Sequence, residues 1–217
     1  MNEADDTLGN VMRRHGLRLG LFALGSVVLL TLINMATGAR IVEQRRIAER
    51  AALEEVLPPT RHDNDLLQDG FMLAPDSPGF VQLELLGLST ARQAYVARLD
   101  GRVSGVILPA ETAEGYSGTI VQLVGIDRDG NITGVRVLQH NETPGLGDKI
   151  EPRKHRWIFS FDGRSLANTD SLLWRVKKDG GDFDQFVGAT ITPRAVVGAV
   201  HEALQFFEAN REQLLAR

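Results

Sequence analysis

The hydrophobic pattern of this chain changes period three times, and each change predicts a different kind of element. From Leu19 to Ala39 no charged residue occurs, an unbroken apolar run of about 21 positions with no polar face. As a helix that length crosses a hydrocarbon core of about 30 Å. Its richest part, Leu19 to Ile33, also has the length of a signal-peptide apolar region, with Ala36-Thr37-Gly38-Ala39 as the cleavage site on that reading. A retained anchor is the preferred reading, and a buried core helix is disfavoured for want of a polar side. Before the run, the first sixteen residues read as a short, poorly ordered tail. After it, Arg40 to Val56 interleaves Glu43, Arg46, Glu49, Arg50, Glu54 and Glu55 and reads as an exposed helix or stalk ended by Pro58-Pro59.

Beyond a turn-rich stretch from Leu66 to Gly79 the pattern becomes that of strands. Ala94–Leu99 and Arg102–Leu108 flank Asp100-Gly101, a hairpin dipeptide, and Thr119–Ile126 and Ile132–Leu138 flank a second turn at 127–131. The second arms resemble each other (Gly101-Arg-Val-Ser-Gly-Val and Gly130-Asn-Ile-Thr-Gly-Val), and each precedes a Glu-Thr pair, Glu111-Thr112 and Glu142-Thr143. That is either an internal duplication or two separate solutions to one hairpin. Trp157 to Val176 predicts a short strand or helix piece and then a strand around Leu172–Val176. From Pro193 to Leu215 the period is helical: Val196, Val197, Val200, Leu204 and Phe207 share a face, with Glu202, Glu208 and Arg211 off it. The fold class is therefore α+β, an antiparallel sheet flanked by helices and preceded by a transmembrane helix. The predicted organisation is 1–16 tail, 17–39 transmembrane helix, 40–79 stalk and connection, and 80–217 the globular domain.

Composition narrows the chemistry. With 217 residues, one domain plus a few extra elements is the natural content. A formal charge of −4, with no basic stripe interleaved with aromatics, argues against nucleic-acid binding. There is no cysteine, which removes iron–sulfur clusters, disulfides and thiolate chemistry, so any redox role belongs to a bound organic cofactor. Arginines lie on both sides of the apolar run (Arg13, Arg14 and Arg18 before it; Arg40, Arg45, Arg46 and Arg50 after), so charge does not choose an orientation.

Three other chemistries fail on their patterns. Gly145-Leu-Gly147 lacks the third glycine and the following acidic residue of a dinucleotide site. His140 and Glu142 have no third ligand nearby for a metal. Ser117 and Ser160 have no nucleophile-elbow context. Trp157 and Trp174 are candidates to enclose a planar ligand, though core packing is the better reading of each.

The informative segment is Asp184-Gln-Phe-Val-Gly-Ala-Thr190-Ile-Thr192-Pro193. Thr192 suits an N-cap and Pro193 the first helical position, which puts Gly188-Ala189-Thr190 in the turn feeding a helix N-terminus. Free backbone N–H groups and the positive end of the dipole make such a terminus hospitable to anions. By itself this describes an ordinary capped helix. The segment also resembles the flavinylation signature of the FMN-binding domain family, Asp-x-x-(Ser/Thr)-Gly-Ala-Thr. Asp184, Gly188, Ala189 and Thr190 match it, and Val187 stands where Ser or Thr is usual. Lys177-Lys-Asp-Gly-Gly-Asp-Phe-Asp-Gln-Phe, Gly115-Tyr-Ser-Gly and His140-Asn-Glu-Thr-Pro-Gly-Leu-Gly147 are similar to the G subunits of Rnf-type electron transport complexes. The C subunit of the sodium-pumping NADH:quinone reductase is the near relative.

The resemblance implies FMN joined to Thr190 by a phosphoester, and a separate flavin transferase using FAD as donor. It implies a bacterial inner-membrane subunit with a cytoplasmic N-terminus and a periplasmic FMN domain. Its partners would be the other subunits of a complex that couples electron transfer between ferredoxin and NAD to ion movement, with no independent turnover by this chain. The expected cofactor-binding residues are Thr190, Gly188, Ala189, Thr192 and Asp184, together with His140, Glu142, Thr143, Gly145, Leu146 and Gly147 from a loop expected to border the ring. Rival readings are a membrane-tethered assembly or binding subunit with a vestigial flavin motif, and a stand-alone flavin reductase.

Overall fold

The computed structural model describes the backbone of residues 3–217, and the side chains of that stretch except 3–11, 38, 39, 41, 42, 45 and 48. Two compact units divide at residue 49. Helix α1, Glu3–Val56, supplies the described residues of the first unit, and its last turns belong to the second. The stretch read as a short, poorly ordered tail is helical from Glu3 onward.

Within α1, Met12–Thr37 is long and apolar enough to cross a membrane, and its large side chains, among them Phe22, Leu24, Leu29 and Met35, are exposed. The hydroxyls in this stretch bond back along the helix. Ser26 donates to the Phe22 carbonyl at 2.9 Å, Thr31 to Val27 at 2.8 Å and Thr37 to Ile33 at 2.7 Å. Back-bonding of this kind satisfies these three hydroxyls within the helix, as hydrocarbon surroundings require.

In the second unit, five antiparallel strands follow one another in space as in sequence: β1 (Gly70–Leu73), β2 (Arg92–Leu99), β3 (Arg102–Gly115), β4 (Gly118–Asp127) and β5 (Ile132–Gln139). The two predicted hairpins are present, at Asp100-Gly101 and at 127–131. β1 and the far half of β3 were not legible. The sequence reading ends β3 at Leu108, yet Pro109 pairs with Leu123 of β4 while the β2–β3 ladder stops at Tyr95–Ile107. Its missing N–H falls where β3 has no neighbour on that side, so the ladder loses nothing.

One face of the sheet is covered by α2 (Ile191–Ala209), whose Val196, Val197, Val200, Leu204 and Phe207 are all buried as their spacing requires. Helix α3 (Arg211–Leu215) is separate from it. The single predicted helix is broken at Asn210, whose amide accepts from Val81 N–H at 2.8 Å and donates to the carbonyls of Val81 and Phe206, both at 2.9 Å. The opposite face packs on Leu53, Val56 and Leu57, with Tyr95, Ala97, Ile107 and Leu123 as partners. The end of the predicted stalk is thus core.

The repeated glycines explain how a helix end can lie so close to a sheet. A Cβ on Gly134 would meet the Val56 carbonyl at 2.8 Å and that of Glu55 at 2.9 Å; one on Gly105 would meet Leu57 Cδ1 at 3.1 Å. Gly125, the register partner of Gly134, lies within 2.7 Å of the Val56 carbonyl by the same measure. Thr133 then secures the contact by donating to the Val56 carbonyl at 2.7 Å. The repeated Ser/Thr-Gly-Val thus marks where α1 meets the sheet.

No strand forms at Leu172–Val176. Asp170 caps a 3-10 turn, Ser171–Leu173, by accepting from Leu172 N–H at 2.9 Å, and Val176 makes only an isolated bridge to Phe183. Trp157 belongs to a longer 3-10 stretch, Arg156–Phe161.

Candidate functional site

The turn before α2 is built from its aromatic floor upward. Trp157 is buried and donates its indole N–H to the Asp184 carbonyl at 2.7 Å, and its ring packs edge-on against Phe186 at 5.2 Å. Phe186 pinned in this way fixes where the next residues emerge. Ala189 N–H closes a tight turn onto the Phe186 carbonyl at 3.1 Å, and Gly188 takes the positive φ (82°) the turn needs. Val187, at the turn's tip, is 91% exposed. Its departure from the signature leaves the turn intact.

The helix begins one residue after Thr190, not after Thr192. Thr190 occupies the N-cap position in a helical conformation (φ −82°, ψ −28°) and makes no side-chain capping bond. Thr192, expected as the cap, lies in the first turn instead, fully buried, and donates its hydroxyl to a carboxylate oxygen of Glu142. Pro193 still costs nothing, because first-turn N–H groups have no intrahelical acceptor. The outcome is a half-buried threonine whose hydroxyl is not spent on its own helix.

The loop after β5 meets this turn. Glu142, Thr143, Leu146 and Gly147 line one cleft of about 320 Å³ together with Gly188, Ala189, Thr190, Ile191 and Thr192, and Tyr116 of the β3–β4 turn closes the set. Three predicted residues stand apart from the cleft lining. His140 lies in a neighbouring depression, 3.1 Å from Glu151. The Asp184 carboxylate pairs with Lys177 at 2.7 Å. Gly145 forms the outer bend of the loop with φ of 79°. Tyr116 and Ile191 were missed as site residues, although Tyr116 stands inside the Gly115-Tyr-Ser-Gly motif and could have been found there.

The loop's amides serve the loop. Leu146 and Gly147 N–H both donate to the Thr143 carbonyl at 3.1 Å, and Gly145 N–H donates to the Asp148 carboxylate. The Lys154 ammonium, 2.9 Å from Asp148, and that Gly145 bond hold the Asp148 carboxyl below the usual carboxylate range. These three amides are therefore bonded within the loop itself. The Thr143 side chain is exposed at the cleft. Glu111 and Thr112, the counterparts of Glu142-Thr143 in the repeat, do not line it. Burial pushes Glu111 up, but the Ser89 hydroxyl and amide and the Arg92 guanidinium outweigh that and hold it below its ordinary value.

The volume is at the lower end of small-molecule sites, about 300–1,000 Å³. Around the mouth, Tyr116, Leu146 and Ile191 expose apolar surface, and the α2 N-terminus offers N–H groups to an anion. These residues fit a flavin mononucleotide, and the class of protein they define is that of FMN-binding domains. The FMN-binding domain family matches residues 115–205, the segment that contains every cleft residue, and the RnfG N-terminal region matches residues 1–56.

Over 205 residues the chain is 54% identical to the G subunit of the ion-translocating oxidoreductase complex of Pseudomonas aeruginosa (strain UCBPP-PA14), covering 94% of this chain and 92% of that one. It is 46% identical over 193 residues to the corresponding protein of Escherichia coli (strain K12), covering 88% and 89%. The crystal structure of Shewanella oneidensis NqrC aligns with a TM-score of 0.48 at 24% identity, over 71% of this chain and 76% of that one. The chain belongs to the family of G subunits of ion-translocating oxidoreductase complexes.

Proposed function

We propose that this chain is a membrane-anchored electron relay carrying FMN in phosphoester linkage on Thr190, within a complex that couples electron transfer between ferredoxin and NAD to ion translocation. The observation that carries the reading is the state of Thr190. It is an N-cap threonine with no capping bond, at the edge of a cleft and on a helix N-terminus suited to a phosphate. Family membership supports the electron-transfer setting. FMN supplies one- and two-electron chemistry; the chain's task is to hold it, orient it and shape its surroundings. Gly188 sets the turn that presents Thr190, the N-terminus of α2 would meet the phosphate, and Leu146 and Ile191 would flank the bound group from one side of the cleft. The other subunits of the complex are its partners in use, and a flavin transferase drawing on FAD is its partner in maturation.

Thr143 is the side chain assigned to the polar edge of the ring, where reduction adds electron density. A hydrogen bond to a charged group contributes about 1.5–3 kcal/mol. Thr143→Ala is expected to keep the covalent FMN and lower its midpoint potential by tens of millivolts in a redox titration of the purified chain. An unchanged potential would remove Thr143 from the ring's edge.

The proposed setting is a bacterial inner membrane crossed once near Met12–Thr37, with the N-terminus cytoplasmic and the FMN domain periplasmic. Alkaline phosphatase fused after residue 60 should be active in cells. An inactive fusion beside an active cytoplasmic reporter at the same site would reverse the orientation.

A further inference from the structure

Two threonines stand two residues apart at the start of α2, and only one can be presented for modification. Thr192 is 0% exposed and its hydroxyl is donated to Glu142; Thr190 is half-buried and faces the cleft. Glu142 is itself 4% exposed and its carboxylate is held from two sides, because Ser117 N–H donates to its other oxygen at 2.9 Å. Ser117 belongs to the β3–β4 turn, Glu142 to the loop after β5 and Thr192 to α2, so one carboxylate joins the three segments that make the cleft. The backbone makes room for it. A Cβ at Gly115 would come within 2.9 Å of one carboxylate oxygen, and a Cβ at Gly147 within 2.8 Å of the other. α2 has no acidic residue in its first turn and no side-chain cap of its own, and the Thr192 hydroxyl is what ties that turn to the Glu142 carboxylate.

We infer that Glu142 is a positioning residue which, by engaging Thr192 and tying the first turn of α2 to the β3–β4 turn, presents Thr190 as the hydroxyl that receives FMN. The inference rests on the reading of Thr190 given above and concerns the step that makes the linkage. In that step the Thr190 Oγ–phosphorus bond forms and the pyrophosphate bond of FAD breaks. AMP leaves with the bridging oxygen, the hydroxyl proton passes to solvent, and nothing is oxidised or reduced. Glu142 touches none of these atoms in its assigned role. It acts on the placement of Thr190, and displacement of a reacting group by about 1 Å can cost about 100-fold in rate.

The test is the rate of FMN transfer to the full-length chain in detergent by a purified flavin transferase with FAD, measured across chain concentrations. Thr192→Val removes the hydroxyl at nearly constant shape and leaves the stretch from Asp184 to Thr190 intact. Its maximal rate should fall at least about tenfold with the half-saturating chain concentration unchanged, and Thr192→Ser should restore it. Where Thr192→Val melts at the assay temperature, Glu142→Gln/Thr192→Val replaces it, since removing a buried charge together with its donor is far milder than orphaning one of them. That double variant should fold and be equally slow. Transfer at the wild-type rate to a folded Thr192→Val chain, or to the double variant, would overturn the role of Glu142 while leaving Thr190 as acceptor. A wild-type chain that takes no FMN would instead overturn the covalent reading beneath it.

Discussion

Replacing Thr190 by valine is expected to give a folded, membrane-inserted chain without covalent flavin. The effect should be all or none, because the linkage needs the hydroxyl oxygen and valine has none. The fold should be nearly indifferent to the change. Thr190 is half-buried and makes no side-chain capping bond, so the usual loss of about 1 kcal/mol on removing a threonine cap has nothing to act on here. Helix α2 stays anchored by Thr192 against Glu142 and by the buried face from Val196 to Phe207. In-gel fluorescence after denaturation, with circular dichroism alongside, reads both halves of the expectation. Flavin that survives denaturation on the variant would place the linkage elsewhere.

The second large effect is structural. Gly134→Val should lower stability by about 3 kcal/mol, the upper end of what overpacking a core costs. The atoms in the way are the carbonyls of Glu55 and Val56, backbone that has no alternative rotamer to take. Gly125, its register partner, already approaches the same carbonyl, so the sheet has no slack on that side. For a chain of this size, 1 kcal/mol moves Tm by about 2–4 °C, so a fall of about 6–12 °C is expected in thermal unfolding. Gly198→Ala makes the contrast. Nothing lies within 4 Å of a Cβ there, and glycine within a helix costs about 0.5–1 kcal/mol relative to alanine, so Tm should rise slightly. An unchanged Tm for Gly134→Val would mean that α1 does not rest on the sheet as described.

What was legible in the sequence follows from how local each cause is. The two hairpins were readable because Asp100-Gly101 and the turn at 127–131 are short-range signals flanked by apolar runs. The buried face of α2 was readable because its period is strong. The start of α2 was not. A threonine before a proline is a good cap by local rules, and it took a carboxylate fifty positions away in sequence to draw Thr192 into the core. The same holds for the break at Asn210, set by Val81 from a distant segment, and for the end of α1, whose charged residues masked Leu53, Val56 and Leu57. In the candidate site, the two segments singled out by motif do meet at one cleft. Motif could not say which of their groups were already committed. Asp184 is engaged by Lys177, the Gly145, Leu146 and Gly147 amides by their own loop, and Tyr116 enters the site from a turn whose direction only the tertiary fold determines.

The central claim is the bond between FMN and Thr190, and mass spectrometry of the wild-type chain addresses it most directly. The chain should be produced in cells that have the flavin transferase, and its intact mass taken first. Tryptic cleavage after Lys178 and Arg194 yields one peptide that holds both Thr190 and Thr192, so fragmentation must assign the modified residue. The account predicts one FMN per chain, with the added mass on Thr190 and Thr192 unmodified. An unmodified peptide, or FMN found on Thr192 or outside this peptide, would contradict it.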